Sequence, residues 1–224
     1  SPSCSQWTWR QSGQAPMTRA VVFDVDGVLI HGYHARPDQR QSWDQTLAEI
    51  GIDADRFQNE FIFDIFMKKV LVGRMPMIEA LDRRLPSLGY KGSTMAFAEL
   101  WLNHDATLNT ELVDVIRRLK AHPDVRLFLA TNQDHMRAQW IWTTMGLGAV
   151  FEDIFYSARA GMTKANQGFF EFADRRMGRF DEPPLFFDDT QKVLDVAKAH
   201  GWETVLFREN SDVFTHPWIA AQLV

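Results

Sequence analysis

Short apolar runs separated by stretches of helical periodicity constrain this chain more than any other feature of it. The runs are Ala20–Phe23, Arg126–Ala130 in RLFLA, Ile154–Tyr156 in DIFYS, Pro184–Phe187 in PLFF and Thr204–Phe207 in TVLF. Each is too short for a buried helix and is bounded by turn or cap residues, which is how a strand buried on both faces reads. Parallel neighbours need a crossover of a dozen or more residues, and the intervening segments supply it. Asp134 can cap a helix that stops at Gly146, one helix after Lys164 can stop near Gly178, and one after Thr190 can stop near Gly201. Thr110 to Ala121 places Leu112, Val115, Ile116 and Leu119 at helical spacing ahead of the second strand. The fold class is therefore α/β, a doubly wound, Rossmann-like parallel sheet.

One interruption breaks the rhythm. From about Gly32 to Asn109 the chain is helical throughout, with segments at Asp38 to Glu49, Arg56 to Val72, Pro76 to Leu85 and Thr94 to Leu102, broken at Gly51, Gly73, Gly89 and Gly92. That is far longer than an ordinary connection between strands. Phe57, Phe61, Ile62, Ile65, Phe66 and Leu71 form an apolar helix face, which reads as core rather than ligand site. The expected organisation is an N-terminal extension or leader over 1–18, a catalytic core made of 19–31 and 110–224, and a helical cap over 32–109 placed where a lid would fit.

Composition excludes several functions. In 224 residues, 46% hydrophobic and 24% charged is ordinary for a globular protein, with no apolar run able to span a bilayer. The net charge of -5 comes with no basic stripe, which argues against nucleic acid or an anionic membrane as a partner. Any phosphate binding must be local. Cys4 is the single cysteine, so no internal disulfide forms, in keeping with a reducing cytoplasm. It lies in the polar opening SPSCSQWTWRQSGQAP, which lacks the apolar centre of a secretory signal; Trp7 and Trp9 there are expected to be disordered.

The chemistry-bearing residues gather at strand ends. AVVFDVDG puts Asp24 and Asp26 where the first apolar run stops, with Gly27 as the turn residue. Open parallel sheets bind ligands at that carboxyl mouth. The second strand leads into Thr131 and Asn132, a hydroxyl and a turn amide suited to a phosphate oxygen. Lys164 follows the third strand at the start of a helix, where a cation is better matched to an anionic ligand than to the helix dipole. FFDDT then presents Asp188 and Asp189 as a second acidic pair, and two such pairs point to an oxygen-lined Mg²⁺ site. Taken singly, each feature also has a plainer reading: an acidic turn, a Thr-Asn cap, a solvated surface lysine.

This order of D-x-D-G, strand-end Thr-Asn, Lys and Asp-Asp resembles the haloacid dehalogenase superfamily, over essentially all of Arg19 to Arg208. A helical insert after the first motif is similar to the subclass capped at that point. FFDD and VGRMPMIEALDRRL resemble the branch that holds sugar-phosphate phosphatases and the phosphatase domain of soluble epoxide hydrolases. The resemblance implies a Mg²⁺-dependent phosphatase acting on a small phosphorylated metabolite, with a sugar phosphate as the expected substrate. It makes Asp24 the nucleophile, forming an aspartyl-phosphate, and Asp26 the general acid and base, with its backbone carbonyl on the metal. Thr131, Asn132 and Lys164 would hold the transferring group. Asp189 would ligate Mg²⁺, with Asp188 a ligand or a support behind it.

Two positions depart from the family pattern. Val193 stands where many relatives carry a further acid or Asn, and Ala165 follows Lys164 where they often have Pro. Dehalogenation fits poorly, because relatives with that chemistry lack the acid equivalent to Asp26. A phosphomutase and a silent phosphate-binding protein remain as alternatives. Selectivity is expected from the cap, with connections around His31 to Arg36 and His104 to Asn109 as hinges and Arg74 or His104 near the leaving group. His31, His34, His104 and His135 form no pair with metal-ligand spacing, and Trp140 and Trp142 read as core or interface.

Overall fold

The computed structural model describes residues 18–31 and 37–224; Cys4, Trp7, Trp9 and His34, and all but the last residue of the expected extension, lie outside them. Five parallel strands form the sheet: β1 (Arg19–Phe23), β4 (Val125–Thr131), β5 (Asp153–Tyr156), β6 (Leu185–Asp188) and β7 (Glu203–Leu206), in the order β5-β4-β1-β6-β7. Strand β1 lies at the centre and every residue of it is buried. Its alternation divides the core, as a period of two requires. Val21 and Phe23 join a cluster with α5 (Thr110–Lys120) and α6 (His135–Thr143), whereas Ala20 and Val22 join one with α8 (Gln167–Met177) and α9 (Gln191–His200). The short α7 (Ser157–Ala160) follows β5, and α10 (Ser211–Phe214) and α11 (Pro217–Gln222) close the chain against the first cluster.

The expected strands are all present, with ends shifted by a residue or two. Two short elements carry no readable period. Strands β2 (Ile30–His31) and β3 (Thr107–Leu108) pair antiparallel where the helical insert leaves and rejoins the sheet. Asn109 fastens this junction: its backbone N–H donates to Leu29 O (2.8 Å), its Nδ2 to Val28 O (3.0 Å), and its Oδ1 caps α5 through Leu112 N–H.

The insert comprises α1 (Pro37–Glu49), α2 (Ala54–Phe57), α3 (Met77–Arg84) and α4 (Thr94–His104), with its own buried cluster around Trp43, Phe57, Phe61 and Phe97. Where the periodicity predicts one helix from Arg56 to Val72, α2 runs instead into a π-helical stretch, Gln58–Val70, kinked at Asp64 (φ −113°, ψ −107°). Asp64 bonds Lys68 (2.9 Å) and Arg84 (2.6 Å) at that kink.

Candidate active site

Register brings the strand ends level. Phe23 pairs with Leu129 on one side and Phe187 on the other, so Asp24 and Asp188 emerge level at the carboxyl mouth, with Thr131 one residue beyond that level on β4. Asp24 stays tied to the sheet through its N–H to Phe187 O (2.9 Å). The chain then turns sharply: Val28, Leu29 and Ile30 N–H all donate to Val25 O, and Gly27 adopts φ 83°. Only glycine takes that conformation without strain.

Lys164 organises the floor. Its Nζ donates to Asp24 Oδ1 (2.8 Å), Asp188 Oδ2 (2.7 Å) and Ala130 O (3.3 Å), using all three protons. The side chain is buried, which overturns the reading as a solvated lysine. Its place is also corrected: α8 begins at Gln167 with Asn166 as N-cap, so Lys164 sits in the preceding turn and not at a helix start. Asn132 holds that turn, its Oδ1 accepting from Lys164 N–H (2.9 Å). Burial alone would lower the ammonium's pKa, but contact with Asp24 and Asp188 outweighs it and holds Lys164 above the ordinary lysine range.

The two acids after β6 differ. Asp188 is buried with both oxygens engaged, Oδ2 by Lys164 and Oδ1 by Thr190 N–H (2.8 Å). Asp189 is exposed and touches Thr190 Oγ1 (3.3 Å). Oxygens of Asp24, Asp188 and Asp189 lie within 4.8 Å of one another. Burial, then repulsion from Asp188 and Asp189 against the pull of Lys164, raises Asp24 well above the carboxylate range; burial and Asp188 raise Asp189. Three carboxylates around one ammonium leave excess negative charge that a hard cation would neutralise, so the donor set fits Mg²⁺.

Asp26 is turned away from this trio. Arg137 grips it with two bonds, Nη1 to Oδ2 (2.6 Å) and Nη2 to Oδ1 (2.8 Å), and Gln133 Nε2 also donates to Oδ2. Its side chain is thus committed elsewhere, which leaves the backbone carbonyl for any metal contact. Burial would raise this carboxyl, but Arg137 and then Gln133 outweigh it and hold Asp26 below the usual range. Gln133 further donates to Thr131 Oγ1 (3.1 Å) and is anchored through its backbone by Ser157 Oγ (3.0 Å). Neither Arg137 nor Gln133 is among the site residues expected from sequence. The signal for Arg137 was present: it follows the N-cap Asp134 by three residues, and a cation in a first turn is unfavourable unless an anion faces it.

Above the floor lies a cavity of about 460 Å³. Its base holds Asp24, Asp26, Thr131, Asn132, Lys164 and Asp189; its wall is apolar, formed by Trp43, Phe57, Phe66, Trp101 and Leu102 of the insert and Met136 of α6. The apolar face read from the sequence as core therefore serves two purposes. Phe61 and Ile65 are core, while Phe57, Ile62, Phe66 and Leu71 also border the cavity. Arg74 and His104 do not line it; His104 packs on Trp43 (centroids 4.9 Å apart), and Gln58, Asp105 and Arg137 supply the polar groups instead. His135 meets Tyr156 Oη (3.0 Å), and Trp140 and Trp142 pack against the first core cluster. Val193, the first departure from the family pattern noted above, packs into the second.

A family model described as haloacid dehalogenase-like hydrolase matches residues 18–201. The chain belongs to the haloacid dehalogenase-like hydrolases. Solved structures share the fold of this hydrolase. A Porphyromonas gingivalis protein described as a HAD-like family hydrolase is 24% identical with TM-score 0.70, covering 92% of this chain and 96% of its own. A HAD family enzyme of Bacteroides thetaiotaomicron, crystallised as an aspartate-to-alanine mutant with magnesium and inorganic phosphate, is 21% identical with TM-score 0.69, over 85% and 94%. A Bacillus subtilis protein described as a HAD-hydrolase bound to magnesium, with interdomain movement, is 20% identical with TM-score 0.59, over 85% and 89%. No curated protein sequence matches the hydrolase at a significant level. Among the described residues no helix is long and apolar enough to cross a membrane.

Proposed function

We propose that this hydrolase is a Mg²⁺-dependent phosphatase that cleaves a small phosphate monoester through an aspartyl-phosphate on Asp24. The observation that carries the reading is the Lys164 bridge between Asp24 and Asp188 at the cavity floor, because a buried ammonium there fixes a carboxylate and also faces an arriving phosphoryl group. Magnesium, held by Asp24, Asp189 and the Asp26 backbone carbonyl with Asp188 behind, would supply the positive charge that lets two anions meet. The B. thetaiotaomicron and B. subtilis relatives described with magnesium support this assignment.

In this mechanism Asp24 Oδ2 attacks phosphorus while Oδ1 stays on Lys164 and Val25 N–H. Thr131 and Asn132 orient the phosphoryl oxygens, and Lys164, its three protons engaged by Asp24, Asp188 and Ala130 O, helps hold the group by its positive charge. Asp26 gives a proton to the leaving oxygen and then takes one from the water that cleaves the acyl phosphate. Its ionised state in the grip of Arg137 suits the second step; the first requires a proton gained as that pair loosens. Residues 32–109 act as a cap that closes the site, with 19–31 and 110–224 as the catalytic core.

The test is hydrolysis of p-nitrophenyl phosphate with and without Mg²⁺. Wild type is expected to turn over only with the metal, Asp24→Asn to be inactive yet folded, and Asp26→Asn to accumulate phosphorylated Asp24 by mass spectrometry. Full activity after chelation, substantial turnover by Asp24→Asn, or a phosphoryl group on another residue would each overturn the assignment.

A further inference from the structure

The cavity separates its chemistry by height. Asp24, Thr131, Asn132, Lys164 and Asp189 gather at the strand ends, Arg137 beside them is engaged with Asp26, and most of the surface that the insert contributes is aromatic or aliphatic. We propose that the ester taken by this site carries an apolar, aromatic alcohol rather than a sugar, an inference that rests on the phosphatase reading of the base. A sugar's hydroxyls set against Trp43, Phe57, Phe66, Trp101, Leu102 and Met136 would give up water without regaining hydrogen bonds. Gln58 and Asp105 are the polar exceptions on the insert side, and Asp105 is already drawn toward His104 (3.5 Å) while its carbonyl accepts from Arg137 (3.1 Å).

The wall's geometry favours a ring over a chain. Trp43 and Trp101 lie near-parallel (17°, centroids 6.3 Å), Phe57 meets Trp101 edge-on (79°, 5.6 Å) and Phe66 tilts against it (52°, 5.7 Å). Stacked, tilted and edge-on contacts thus occur together in the cluster that borders the cavity, and a further ring against its partly exposed members, Phe66 and Trp101, would extend it at the spacing aromatic pairs prefer. Met136 adds a polarizable thioether able to follow a ring edge. The volume of about 460 Å³ sits in the lower half of the range for small-molecule sites, room for a ring or two above the base.

The experiment compares 2-phenylethyl phosphate with glucose 6-phosphate and n-octyl phosphate, all esters of primary alcohols, so that leaving-group reactivity does not dominate. Expected is a kcat/KM for the phenylethyl ester at least about tenfold above that for the sugar ester. Met136→Gln and Leu102→Gln, each shown folded by circular dichroism, should lower that ratio at least about threefold. Calorimetric titration of the full-length Asp24→Asn variant with the same esters provides a readout free of turnover, in which the phenylethyl ester should bind more tightly than either competitor. A sugar ester equal to or better than the phenylethyl ester, or the octyl ester bound best, overturns the proposal. If p-nitrophenyl phosphate and all three esters resist hydrolysis, the phosphatase reading fails on its own, and the titration still decides which alcohol the wall accepts.

Discussion

Gly27→Ala isolates the contribution of the turn after the first acidic pair. At φ 83° an L-residue is strained by about 1–2 kcal/mol. A Cβ there would also overlap Asp189 Oδ2 and stand 2.8 Å from Asp189 Cγ, where ordinary contact begins near 3.4 Å. The carboxylate must therefore retreat by about 0.6 Å or more, its oxygen further still. Because Asp189 is exposed, it can swing aside without unfolding the core, which displaces it from its present place beside Asp24 and Asp188. Gly146→Ala is the matched control: φ is 79° and nothing lies within 4 Å of its Cβ. Both variants should lose roughly 2–8 °C in Tm from backbone strain. Gly27→Ala alone should require more Mg²⁺ for half-maximal activity and lose about 100-fold in kcat/KM on p-nitrophenyl phosphate, the scale of a misplacement near 1 Å. The reasoning is refuted if Gly27→Ala keeps wild-type metal dependence and kcat/KM, or if Gly146→Ala loses as much activity.

Lys164→Met leaves Asp24 and Asp188 buried and facing each other, so stability should fall by about 3–5 kcal/mol in denaturant titrations, with part of it regained on adding Mg²⁺; unchanged stability would contradict the bridge. Arg137→Gln should lower kcat by roughly tenfold or more with little change in the Mg²⁺ requirement, and Arg137→Lys should not restore it, since one ammonium cannot reproduce the two-point grip on Asp26; full rescue by lysine would show that charge alone matters. For Glu203, burial raises the carboxyl, but Arg19 and then His216 outweigh this and hold it below its ordinary value of 4.5. A depressed carboxylate stabilises above its unfolded value and loses that effect as pH falls through the folded one, so wild type should lose stability between about pH 5 and pH 3 more steeply than Glu203→Gln; parallel curves would refute the linkage. At Gly73 (φ 77°) a Cβ would overlap the backbone carbonyl of Ala158, which cannot rotate away, so Gly73→Ala should push the insert off the core and raise KM along with lowering Tm; an unchanged KM would rule out that contact as a closure point.

The floor of the site was legible because local rules decide it. An apolar run that stops at a carboxylate marks the end of a buried strand, and with β6 beside β1 the register places Asp24 and Asp188 side by side. Lys164 was legible as an anomalous cation, although for the wrong reason: its anions come from two other strands, and α8 starts after it. The wall was not legible in the same way. Helical period tells which of Phe57, Phe61, Ile62, Ile65, Phe66 and Leu71 turn away from water, but a core and a cavity lining satisfy the same period. Only the packing of α1 and α4 against that face separates Phe61, enclosed by rings, from Phe66, left against open space. The kink at Asp64 has a similar origin, since its partner Arg84 is twenty residues away in sequence.

Arg137 shows why the two halves of the site are more than neighbours. It rises from α6 of the sheet domain, holds both oxygens of Asp26, and donates to the carbonyl of Asp105 at the end of α4, the last helix of the insert. Its Nε is buried without a hydrogen-bond partner among the described residues, so the two Nη groups make the hydrogen bonds of the guanidinium. A shift of the insert that carries Asp105 away removes one of the restraints on the group that keeps Asp26 ionised. One side chain on α6 thus joins the acid that follows β1 to the end of the insert's last helix, so a movement of the insert is felt at Asp26 through Arg137.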